Sequence, residues 1–266
     1  MVAAAARAFL VALLIAMPAL MMPGSTADTT QMVALLSLVA AVLTFVEYVS
    51  EYPSLIEFRD APPFNRMRFV ALFVTVFLMV MIARAETMPT LFNLSAAHLG
   101  VAIGAAMDFP FSPVRLMVLL SPVAGGVEPE TIRTYAGLAY LISLVTLLSF
   151  VALVRLLDWP IRNGAFNFWV NLPLFDPTTG GDVLNRLKRD SHVNVALGFL
   201  LPFLIPAGLK TAAGLGYPIA LQDPQTLIWT MSAWAFLPAS LIMRGVALMR
   251  IADLIEAKRR RAYAQA

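Results

Sequence analysis

The sequence predicts an all-α polytopic membrane protein, a helical bundle of six full spans plus a short helical pair. Three observations carry that prediction. Of 266 residues, 60% are hydrophobic and 13% charged, whereas a soluble domain holds about 45–50% apolar and about 25% charged residues. The apolar residues gather in runs close to the roughly 20 that a helix needs to cross a bilayer. Lysine and arginine crowd into alternate connections, the pattern of the positive-inside rule. No composition shift marks off a second folded unit, so residues 1–266 read as one transmembrane domain.

The first run covers residues 7–23. Met1–Arg7 ahead of it carries one positive charge, and Ser25-Thr26-Ala27 puts small residues before Asp28. That grammar fits a cleaved signal peptide as well as a first span; the length of the run favours a span. Further spans are expected at 31–49, 69–84, 132–154, 193–215 and 226–249. Glu47 falls in the last turn of 31–49, near the interface. Pro202 and Pro206 lie inside 193–215 and Pro238 inside 226–249, and each removes a backbone donor from its helix.

Two apolar segments, 91–107 and 114–127, are too short to cross in the ordinary way, and Asp108-Phe-Pro-Phe-Ser-Pro113 turns between them. Either both cross at a tilt, giving eight spans, or they form a re-entrant hairpin, giving six. Both choices put the N- and C-termini on one side. With that side cytoplasmic, only Arg84, Arg133 and Lys210 fall outside, and 16 of the 19 Lys and Arg, Arg115 among them, fall inside. A bacterial-type inner membrane is the expected location.

His98 is an ionisable group within an apolar segment, which is costly in lipid and points to function. It lies off the small-residue stripe Ala96, Gly100 and Gly104, which suits close helix packing. His98, the turn residues Asp108 and Arg115, and Glu47 make up a candidate polar path. A hydrogen-bonded core histidine is the plainer reading of His98, and a tetrapyrrole ligand the remote one. No other cofactor is expected.

Two connections are richer than tethers need to be. Residues 50–68 hold Arg59, Asp60 and Arg66 together with Pro53, Pro62 and Pro63, and prolines favour a fixed loop. Residues 155–192 hold an aromatic stretch, Phe166–Phe175, that includes Trp169 and suits the membrane interface. Asp182 reads as the N-cap of a short helix running to Arg189. The two loops are expected to form a cytoplasmic cap, either a lid over the helix ends or a docking surface for a protein partner. The tail 251–266 continues the last helix and holds Lys258, Arg259, Arg260 and Arg261, suited to anionic headgroups of the lipid bilayer. Headgroups account for the basic excess, so no nucleic-acid partner is expected.

Enzyme signatures are missing. With no cysteine, thiolate metal sites and thiol nucleophiles are excluded. There is no H-E-x-x-H, G-x-S-x-G or Walker A sequence. Asp176 and Asp182 are a single acidic pair, weak support for a magnesium–diphosphate site, and no metal is expected. Two functions remain. The first is a small transporter or channel lined by the short pair. The second is a non-catalytic scaffold or assembly subunit that docks a larger complex through its cytoplasmic loops.

Overall fold

The computed structural model describes residues 1–22, 27–157, 159–160, 166–175, 182–217 and 220–265. Ser25, Thr26, Arg162 and Asp176 lie outside the described residues. Every described element is helical, and six helices are long and apolar enough to cross a membrane. The chain is a multi-pass integral membrane protein.

Helices α1 (Val2–Met21) and α2 (Ala27–Val49) form an antiparallel hairpin, with the Arg7 guanidinium 4.6 Å above the Tyr48 ring. Outward-facing α2 residues such as Leu35, Leu38 and Val42 are exposed, while Ser37 and Glu47 are buried. That inversion is stable only where the solvent is hydrocarbon, since lipid accepts apolar side chains and rejects polar ones.

The centre is built from α3 (Phe64–Arg84), α6 (Pro129–Leu156) and α9 (Pro224–Gln265), with α8 (Val183–Gly214) lying along α9. Two apolar clusters stack along the bundle. One joins Met79 and Val80 of α3 to Ile132 and Tyr135 of α6 and Ile228 and Trp234 of α9. The other lies under the connecting loops and joins Phe58, Phe64, Phe150, Trp159 and Leu172 to Met243. We call that end the loop face.

Close approaches are made by glycine. A Cβ on Gly104 of α4 (Leu91–Met107) would lie 2.8 Å from the Arg133 carbonyl oxygen, and one on Gly137 would lie 2.6 Å from the Cα of Gly104. The backbones of α4 and α6 therefore touch, as small residues allow between helices in lipid. In α8, Pro206 has no N–H to give the Pro202 carbonyl. The indole N–H of Trp234 on α9 donates to that carbonyl at 3.0 Å, so the break in one helix is satisfied by its neighbour.

Three elements differ from expectation. The segment 114–127 is not continuous. It becomes α5 (Pro113–Val118) and a 3-10 turn at Ser121–Val123, broken by Pro122 and by Gly125 and Gly126, whose φ angles are +79° and +81°. The span 132–154 begins earlier, at Pro129, a favoured first helical residue. The short helix from Asp182 and the span from 193 are one helix, α8, because nothing between them breaks the ladder. The last span and the basic tail are one helix, α9, as expected. Its 42 residues extend about 63 Å at 1.5 Å each, roughly twice the hydrocarbon thickness.

The turn of the short pair does not reach the loop face. Its residue Asp108 is bound by Arg133, in the second turn of α6. The far end of α6 carries Phe150 and Val154 into the loop-face cluster. The turn therefore lies at the face opposite the loops, where α3 also ends. Arg115 moves to that face, a correction to its expected placement. Six spans remain, and both chain ends lie on the loop face.

Candidate functional site

The polar side chains collect at the two ends of the bundle. At the loop face, Glu47 ends α2 with its carboxylate buried, 6% exposed. The chain reverses over it, so that the backbone N–H groups of Ser54, Leu55 and Ile56 donate to it at 2.9–3.0 Å and the Ser54 hydroxyl at 2.6 Å. Charge-assisted bonds of this kind are the strong ones. Arg59 then donates to the carbonyls of Glu47 and Ser50 at 2.8 and 2.6 Å and lies 3.4 Å from Asp60. The 50–63 loop is folded around one carboxylate.

The second loop locks onto the first. Asn171 of α7 (Phe168–Asn171) accepts from the Phe58 N–H at its carbonyl, 2.6 Å, and from the Asp60 N–H at its side-chain oxygen, 2.9 Å. Phe58, at a φ of +53° that a bulky residue seldom adopts, is held there by this bond and by the Phe64 and Trp159 rings, centroids 4.5 and 5.8 Å away. The Trp159 indole donates to the Ala61 carbonyl. From α9, Arg244 reaches Glu57 through two bonds of 2.5 and 2.8 Å. Below it Arg68 donates to Ser240 and lies over the Phe64 and Phe236 rings.

At the opposite face, Asp108 is 3% exposed between two arginines. Arg133 donates to Oδ2 at 2.7 Å. Arg115 Nε lies 2.9 Å from Oδ1, a charge contact whose N–H is not aimed at the oxygen, so Oδ1 accepts no hydrogen bond among the described residues. The Ser112 hydroxyl caps α5, and that cap sets the turn that presents Arg115.

The four residues expected to line a path are thus dispersed. Asp108 and Arg115 meet each other, Glu47 lies at the far face under the loop, and the His98 side chain is exposed on the outer side of α4. That exposure runs against a cavity-facing His98: α4 buries Asn93, Ala96, Gly100 and Gly104, and His98 lies off that line. Of the residues expected at a partner or lipid surface, Arg59 and Asp60 are joined within the first loop. Arg66, Trp169, Lys258, Arg260 and Arg261 are exposed, and Arg259 bonds Asp182 at 3.0 Å.

Sequence reasoning passed over Arg133, Glu57, Arg244, Arg68 and Asn171. Arg244 sits inside the apolar run 226–249, so the rule that singled out His98 applies to it equally, whereas Arg68 only flanks the run that begins at 69. Asn171 carries no comparable signal. Comparison with protein-family models, with curated proteins and with solved structures yields no match in any of the three. What fold and site define together is a class: a six-span helical membrane protein whose connecting loops bond to one another on the face that bears both termini.

Proposed function

We propose that this protein is a non-catalytic scaffold or assembly subunit of a larger membrane complex, docking through its loop face. One observation carries the reading. The two loops are anchored by buried polar contacts, yet they leave Tyr52, Leu55, Trp169 and Leu174 between 54% and 72% exposed. Ordering a loop costs conformational entropy, and large apolar side chains held outward on ordered backbone suit an interface. Transport is the weaker reading, since His98, Glu47 and the Asp108–Arg115 pair do not face a common space.

The test is isolation of the tagged protein in mild detergent, followed by native mass measurement. A second chain at fixed stoichiometry, lost when Tyr52 and Leu174 are both changed to serine, is the expected result. A monomer, together with thiol labelling of cysteines placed at Ala97 or Val101 by a water-soluble reagent, would overturn the proposal and return the protein to the transport class.

A further inference from the structure

Between α6, α8 and α9 the bundle leaves an open cleft of about 680 Å³ on the loop-face half. All three helices change character along it at the same level. On α6, Val151 gives way to Arg155; on α8, read towards its start, Phe199 and Val195 give way to His192; on α9, Val246 gives way to Arg250 and Asp253. The deep part is therefore apolar and open to the bilayer, and the mouth carries two arginines and a histidine against one carboxylate.

The side chains of Arg155 and His192 make no hydrogen bond or ion pair among the described residues, and both are exposed. Arg250 is oriented by its bond from Nε to the Trp159 carbonyl, 3.1 Å. Beyond the mouth, α8 and α9 continue as a polar pair joined by Lys188–Glu256 and Arg259–Asp182. That continuation places the change from apolar to charged where hydrocarbon gives way to headgroups. A lone apolar cleft would say nothing of its occupant; a cationic mouth at interface depth does.

We propose that this cleft binds one anionic phospholipid, its phosphate at Arg155 and His192 and one acyl chain lying against Val151, Val195 and Phe199. Arginine suits a phosphate oxygen pair geometrically as well as by charge. The site is separate from the exposed loop residues of the proposed docking surface, so its test stands whether or not a partner chain exists.

The experiment is native mass spectrometry of the whole protein released from vesicles of phosphatidylglycerol and phosphatidylcholine in equal parts. One phosphatidylglycerol retained in preference to phosphatidylcholine is expected. R155Q should weaken retention about five-fold, the effect of one interfacial cation. A196W, which fills the cleft without changing its charge, should abolish retention. Changing Arg260 and Arg261 to glutamine should leave it intact. Equal retention of the two lipids would overturn the proposal. So would retention unaffected by A196W, or shifted by the tail variant alone, since either would mean that the lipid is held by diffuse surface charge. Soluble glycerol phosphate that displaces the lipid at equal concentration would also overturn it, because the acyl chain would then contribute nothing.

Discussion

Glu57 and Arg244 come together from residues 187 positions apart. Their side chains are 11% and 25% exposed, so each needs the other where water is scarce. Removing one partner of such a pair leaves an uncompensated charge, and E57Q or R244M should each cost roughly 3 kcal/mol. The double change to methionine should lie within about 1 kcal/mol of the native protein, because apolar replacement removes the desolvation cost with the attraction. Denaturation in mixed detergent micelles measures both; single losses that simply add would disprove the coupling. Asp182 makes a gentler case. The Arg259 hydrogen bond first, and then the capping bond from the Leu184 N–H, hold its carboxyl below the ordinary value of 3.8. A depressed carboxyl contributes stability that is complete above its unfolded pKa and lost as pH falls through the folded one. The contact is exposed and screened by salt, so the effect is local. Spin labels at Asn185 and Arg260 should report a distance that broadens below about pH 3.8, and in D182N one that is already broad at neutral pH and flat below it.

Among the elements, the broken helix α8 tests how lipid enforces hydrogen bonding. Trp234 supplies the donor that Pro206 lacks, so W234F should leave the Pro202 carbonyl unpaired and cost about 1–3 kcal/mol. In a P206A background the restored backbone N–H takes over, and the same change at Trp234 should cost less than half as much. Equal costs in the two backgrounds, read by the same denaturation, would mean that the indole contributes by packing alone. The spans themselves were legible from apolar runs, and the α4 packing stripe from the spacing of Ala96, Gly100 and Gly104. So was the run of the tail on from the last span, but the continuity of α8 was not. Residues 183–192 look like a separate piece to a hydropathy reading, since the polarity changes at the membrane boundary while the backbone does not. Residues 114–127 misled in the other direction: apolar composition there conceals a proline and two glycines that end the helix.

Across the whole molecule, the sidedness of the short pair is the sharpest consequence of the fold. Phe111 in the turn is 93% exposed and Tyr52 in the first loop 72% exposed. Cysteines at these two positions, in a chain with none of its own, should be labelled by an impermeant thiol reagent from opposite sides of the membrane. Labelling from the same side would require the short pair to cross. By itself the sequence determined the helical membrane class, the full spans and the grouping of positive charge, because each is set by local composition against a solvent of fixed thickness. Only the tertiary structure decided that the short pair turns back, that Glu47 holds a loop rather than lining a path, and that three helices share a cationic cleft. Those outcomes rest on contacts such as Asp108 to Arg133, Glu57 to Arg244 and Phe58 to Asn171. Their partners lie 25 to 187 residues apart, and no local pattern records which distant group will neutralise a buried charge.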